Sequence, residues 1–309
     1  MMLTRSRKVM SRSLEQAKKQ LGAIFKERKA YLRLMRLHQP IGIWLLLWPT
    51  LWALLIAGEG RPDEYVLVVF IIGTVILRSA GCIINDYADR RVDGSVARTK
   101  NRPIPAGEIS PKQALALFVG LLIAAFVLVI QINALAIILA TIGVVLAATY
   151  PFLKRLTNLP QLGLGMAWAW VVPMAFAAEQ QALPGGLWLI SAAIVLWTVA
   201  FDTYYAMVDR EDDMKIGIKS TAILFGKQDL LIIALLQILA LIILAIAGSY
   251  FQRGWVYYLG LMVAAGYFVA QHLEARSGEP EGCFRAFLNN HRVGMATFIG
   301  LALDYSLQY

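Results

Sequence analysis

Residues 66–84 read VLVVFIIGTVILRSAGCII and run without interruption into 85–93, NDYADRRVD. The first stretch carries a single charge, Arg78, and is about as long as a helix must be to cross roughly 30 Å of hydrocarbon. Its apolar residues do not alternate with polar ones as in a barrel strand, and backbone inside a bilayer must satisfy its polar groups internally. The segment therefore reads as a membrane helix that ends in a row of carboxylates.

Similar apolar stretches recur almost to the C-terminus, and nine spans are predicted: 41–57, 66–84, 113–130, 133–149, 162–178, 187–206, 229–248, 255–271 and 292–308. With 59% of residues hydrophobic and 16% charged, the composition departs from that of soluble globular domains. The expected fold class is all-α, a polytopic membrane bundle around a central cavity. Residues 1–36 form a basic tail on the cytoplasmic face, in which Leu14, Ala17, Leu21, Ile24 and Phe25 give a possible helix an apolar stripe for the interface, and 37–309 form one transmembrane domain.

The net charge of +9 raises the question of nucleic acid, which the placement of the charges answers. With the N-terminus in the cytoplasm, all but three of the 29 Lys and Arg residues fall in the cytoplasmic tail and loops; Arg61 and Arg253 lie outside and Arg78 within a span. This is the positive-inside bias, and it needs no nucleic acid. Cys82 and Cys283 both fall on the reducing side, so no disulfide is expected. The Arg- and Ser-rich start has some character of a mitochondrial transit peptide, but a bacterial inner membrane is the preferred location, with the mitochondrial inner membrane as the alternative.

A second acidic segment, DTYYAMVDREDD at 202–213, follows the sixth span as the first follows the second, and both contain Asp-Arg-x-x-Asp. With about 3.6 residues per turn, Asn85, Asp89 and Asp93 fall along one stripe of an extended helix, and Asp202, Tyr205, Asp209 and Asp213 along another. Lys112-Gln113 before the third span is echoed by Lys227-Gln228 before the seventh, which suggests a duplication of spans 1–4 in 5–8, with the ninth added. Clustered carboxylates repel one another and resist desolvation, so a cation is expected between them. Mg²⁺ suits the all-oxygen donors, because one or two carboxylates hold it while phosphate oxygens complete its shell. Acidic runs are more often simply solvated, and a transporter also carries repeats and intramembrane acids. Transporter acids, however, belong near the midplane on broken helices, whereas these cluster at the cytoplasmic rim. His38, His272 and His291 are scattered, so zinc is not indicated.

The two segments resemble the signatures of the UbiA superfamily of membrane prenyltransferases, N-D-x-x-D-x-x-x-D and D-x-x-Y-A-x-x-D-x-x-x-D, and both are complete here. The similarity extends through 36–42 (RLHQPIG), 98–103 (RTKNRP), 150–155 (YPFLKR) and 219–221 (KST), blocks most like those of the members acting on 4-hydroxybenzoate. The resemblance implies transfer of a polyprenyl chain from its diphosphate to the ring carbon ortho to the hydroxyl, giving 3-polyprenyl-4-hydroxybenzoate for ubiquinone, with Mg²⁺ as cofactor and no obligate protein partner. It further implies that Asn85, Asp89, Asp93, Asp209 and Asp213 hold metal and diphosphate, with Asp202 and Tyr205 nearer the reacting carbons. Asp202 is a candidate to polarise the phenol or take a proton. The acidic motifs alone leave other acceptors open, a dihydroxynaphthoate or homogentisate among them.

Cationic partners for the diphosphate are expected from Lys154 and Arg155 beside Tyr150, and from Arg98 and Arg102, although juxtamembrane anchoring accounts for many such residues. Arg78 is more telling, because an Arg inside a span is costly unless it faces a polar cavity. Seven residues before Asn85, it shares that residue's face at greater depth, where its guanidinium can pair bidentately with a benzoate carboxylate. The alternative is a structural salt bridge to an acidic cassette. Trp44, Trp48, Trp52, Trp168, Trp170 and Trp197 are assigned no site, since interfacial belts and packing employ most membrane Trp.

Overall fold

The computed structural model describes residues 27–95 and 98–308. Residues 27–34 are helical, and eleven α-helices follow: α1 (Ile41–Ala57), α2 (Glu64–Asp89), α3 (Pro111–Val129), α4 (Ala134–Leu153), α5 (Pro160–Ala169), α6 (Val171–Gln180), α7 (Leu187–Ile216), α8 (Thr221–Phe225), α9 (Asp229–Tyr250), α10 (Trp255–Ala275) and α11 (Pro280–Gln308). Each of the nine predicted spans falls on this framework. Among the described residues, seven segments are both long and apolar enough to cross a membrane; α1, at 17 residues, is shorter, and α11 is less apolar. The protein is an all-helical integral membrane protein.

Burial separates the helices by role. Two thirds of the most apolar stretch of α7 is buried, 67%, against 6% for α3. Ile123, Val127, Ile138 and Val145 on α3 and α4 stand more than half exposed, an apolar surface of the kind that faces lipid. The α7 helix packs against α5, α9 and α11, whereas α11 joins α10, α7 and α1 and so links the last helix to the first. The α10 and α11 backbones meet at Gly260 and Gly300, where a Cβ on Gly300 would stand 2.7 Å from the Gly260 Cα. Small residues permit such close helix approach.

Two expectations are corrected and a third is refined. The first acidic stripe is not one helix: α2 stops at Asp89, and Asp93 opens a 3₁₀ turn, Asp93–Ser95. Arg90 closes the helix end, its guanidinium stacked 4.2 Å from the Tyr87 ring centroid and donating to the Tyr87 carbonyl at 2.6 Å, which satisfies an acceptor that the helix leaves unpaired. The fifth span stands as one apolar segment, Pro160–Gln180, divided into α5 and α6 because Pro173 lacks the N–H that would continue the ladder. The Lys-Gln echo does not extend to structure. Gln113 forms a capping box with Ser110 at the start of α3, whereas Gln228 closes a 3₁₀ turn and makes no side-chain cap, with the short α8 inserted before it.

Of the expected basic tail, residues 1–26, including the proposed apolar stripe, lie outside the described residues. Residues 27–36 pack into the domain. Ala30 and Leu34 are buried with Ile83 of α2 and with Ile104 and Ile109 of the loop between α2 and α3, and Arg33 pairs with Glu108.

Candidate active site

A cavity of about 820 Å³ lies between the acidic ends of α2 and α7. Both stripes line it, Asn85, Asp89 and Asp93 from one side and Asp202, Tyr205, Asp209 and Asp213 from the other, together with Arg78, Arg98, Arg102, Tyr150 and Lys154. Of the residues expected at the site, Arg155 alone is not part of the lining. Its guanidinium donates to the Ala88 carbonyl, where it braces the end of α2. At the other end the wall turns apolar and aromatic, with Leu45, Leu164, Trp168, Phe201 and Phe287.

The α7 stripe is continuous because the helix runs to Ile216 and stops only at Gly217, which takes the left-handed conformation (φ 73°) that ends many helices. Across the cavity, three of the acids meet a cation. Lys154 at the end of α4 pairs with Asp89, and Arg102 donates to Asp93 at 2.8 Å. Arg98 bonds both Asp209 oxygens and the Tyr205 hydroxyl while its guanidinium lies 4.7 Å from the Tyr205 ring centroid. The loop after α7 is tied to the end of α4 by the Lys219 N–H donating to the Lys154 carbonyl at 3.1 Å, so the two halves share a frame. Burial pushes the Asp93 carboxyl above the ordinary carboxylate range; Arg102 draws it back down, and Asp89 and Asp86 push it up again.

These donors suit Mg²⁺. They are oxygens, and Asp89 keeps one buried carboxylate oxygen with no hydrogen-bond partner among the described residues. No three acidic, His or Cys side chains among the described residues converge into a ready-made cage. Mg²⁺ does not require one when phosphate oxygens supply part of its shell.

Residues 46–295 match the UbiA prenyltransferase family. The chain belongs to that family. A 4-hydroxybenzoate octaprenyltransferase of Saccharophagus degradans is 56% identical over 275 residues, 89% of this chain and 92% of the relative. One from Aliivibrio fischeri is 54% identical over 280 residues, 91% and 98% of the two chains. Among solved structures, the UbiA homologue from Aeropyrum pernix K1 superposes with a TM-score of 0.75 at 26% identity, covering 85% of this chain and 97% of that one. The homologue from Archaeoglobus fulgidus bound to GPP and Mg²⁺ shares the fold, with a TM-score of 0.66 at 18% identity over 88% and 99%.

At greater depth, the Arg78 guanidinium donates to the Cys82 Sγ at 2.8 Å and lies 5.8 Å from the Trp168 ring centroid. Its Nε is buried without a partner, and among the described residues no carboxylate stands at ion-pair distance from it. The salt bridge to an acidic cassette, left open on sequence grounds, is not formed. Trp168, Gly42 and Arg36 are among the lining residues to which the sequence reading gave no role. Trp168 was set among the packing tryptophans. Gly42 leaves the space that Arg78 fills, since a Cβ there would stand 2.4 Å from the Arg78 Nε. Arg36 reaches the cavity from before α1. Each of these takes its role from a partner distant in the chain, and no local pattern signals it.

Proposed function

We propose that this protein transfers a polyprenyl group from polyprenyl diphosphate to the ring carbon ortho to the hydroxyl of 4-hydroxybenzoate, in ubiquinone biosynthesis. Octaprenyl is the donor named for its relatives. The membrane is the bacterial inner membrane, and the positive-inside bias turns the cavity to the cytoplasm. The observation that carries the acceptor assignment is Arg78, a buried guanidinium without a carboxylate partner among the described residues, in a cavity where Arg36, Arg98, Arg102 and Lys154 are each paired with a carboxylate. Such a group calls for an anion from outside the protein.

The chain's own groups divide the chemistry. Lys154, Arg98 and Arg102 are held by Asp89, Asp209 and Asp93 and retain N–H groups for diphosphate oxygens, Arg having five donors and Lys three. Asn85, Asp89, Asp93, Asp209 and Asp213 would hold Mg²⁺, which supplies positive charge to the departing diphosphate. Breaking the allylic C–O bond leaves an allyl cation beside the aromatic wall formed by Trp168 and Phe201, whose ring faces favour positive charge. Arg78 fixes the benzoate carboxylate and so aims the ring carbon at that cation. Asp202, on the same wall, polarises the phenol or takes the proton lost as aromaticity returns. The apolar wall limits the water that could capture the cation.

The test is product mass from purified protein incubated with Mg²⁺, geranyl diphosphate and a panel of 4-hydroxybenzoate, dihydroxynaphthoate and homogentisate. Prenylated 4-hydroxybenzoate is expected; product from another acceptor alone overturns the assignment. A second expectation concerns the space beside Arg78. Gly42→Ala should raise the KM for 4-hydroxybenzoate about tenfold, equal to about 1.4 kcal/mol, while leaving the donor KM unchanged, because the added methyl displaces the guanidinium and touches nothing in the donor site. Initial rates at varied acceptor concentration measure it.

A further inference from the structure

Asp86 belongs to the first acidic signature but sits off its stripe, and its surroundings differ from those of Asp89. It is fully buried. One oxygen accepts from Arg36 at 2.9 Å and lies 3.1 Å from an Arg102 nitrogen, and the other accepts from Arg36 at 3.2 Å. Asp89, one turn on, keeps an oxygen without a partner. Asp86 therefore gathers two guanidiniums, and its oxygens are already engaged by them.

Those guanidiniums come from separate parts of the chain, Arg36 from the segment before α1 and Arg102 from the loop between α2 and α3, and both line the cavity. The Arg36 backbone adopts a left-handed conformation, φ 57°, which residues other than glycine seldom take and which persists where surrounding contacts impose it. Arg102 also reaches Asp93, so the assembly adjoins the acids expected to hold metal. Asp86 thus shares Arg102 with Asp93 and holds Arg36 by itself, fixing both guanidiniums at the cavity wall.

We propose that Asp86 is a positioning residue and not a metal ligand. It holds the guanidiniums of Arg36 and Arg102 so that their remaining N–H groups meet diphosphate oxygens, which makes Arg36 a further donor-binding residue. The identity of the anion rests on the prenyl-transfer reading.

The test uses the full chain in detergent, with thermal unfolding followed in Mg²⁺ as geranyl diphosphate is added and no acceptor present, together with steady-state kinetics. Wild type is expected to gain stability from geranyl diphosphate; if it gains none, the prenyl-transfer reading itself fails and the proposal with it. Asp86→Asn should require about tenfold more geranyl diphosphate for the same gain and show a similar rise in donor KM, with the Mg²⁺ concentration for half-maximal rate unchanged within about twofold. A wild-type response in Asp86→Asn, or a shift in Mg²⁺ dependence larger than that in donor KM, overturns the proposal. Arg36→Gln leaves Asp86 paired with Arg102 and so tests the same idea should Asp86→Asn fold poorly. It should weaken donor binding similarly, and the double variant should be no weaker than Asp86→Asn within about twofold, because Asp86→Asn already leaves Arg36 unheld. Donor binding at the wild-type level in Arg36→Gln, or a rise confined to the acceptor KM, overturns it.

Discussion

Replacing Asp89 or Asp209 by alanine is expected to lower turnover by about a thousandfold or more, while the protein still elutes as a folded species in detergent. Each residue faces the cavity from a different helix, and each holds a cation, Lys154 for Asp89 and Arg98 for Asp209. On the proposed reading, losing either removes an oxygen that would hold metal and also frees a cation that should be aimed at the diphosphate, and groups stabilising developing charge commonly contribute about a hundred- to a thousandfold each. Asparagine at these positions keeps the volume but removes the charge, so it should be nearly as inactive. At Asp89, which is only 2% exposed, alanine should also cost some stability through the unpaired Lys154; Asp209 is more exposed and should cost little. If both acids serve one metal–diphosphate unit, as proposed, the double variant should be scarcely worse than either single one. Single-turnover assays with geranyl diphosphate and 4-hydroxybenzoate at saturating Mg²⁺ measure this; near-normal rates in either variant would refute the clamp.

How legible these acids were depended on whether their spacing was realised by one unbroken helix. On α7 it was: nothing between Asp202 and Asp213 interrupts the helix, and periodicity alone puts four residues on the cavity wall. On α2 the same arithmetic carried Asp93 one turn too far, because Arg90 folds back on Tyr87 and ends the helix at Asp89. Asp93 still reaches the cavity, held there by Arg102. Spacing also hid the division of labour within the first signature, since Asp86 and Asp89 are the same residue type a few positions apart. What separates them is Arg36, some fifty residues earlier in the chain. Contacts of that range leave no periodic trace.

Arg78→Ala should act on the acceptor alone, raising the KM for 4-hydroxybenzoate about a hundredfold, or about 2.7 kcal/mol, with the donor KM near its wild-type value. The guanidinium has Trp168 within cation–π range, Gly42 against it and the Cys82 sulfur as its acceptor, which leaves its fork rigid and its charge unmatched by a carboxylate among the described residues. A bidentate carboxylate would complete it, and losing one partner of a buried, hydrogen-bonded charge pair commonly costs about 2–5 kcal/mol. Arg78→Lys keeps the charge but loses the planar fork, and should fall between alanine and wild type. Substrate charge provides the sharper contrast. Wild type should strongly prefer 4-hydroxybenzoate to its neutral methyl ester, because the ester leaves the guanidinium buried and unpaired, and Arg78→Gln should lose most of that preference. If Arg78 were only a packing element, both acceptors would weaken together and the ratio of their kcat/KM values would not move. That ratio separates recognition of the carboxylate from support of the helix.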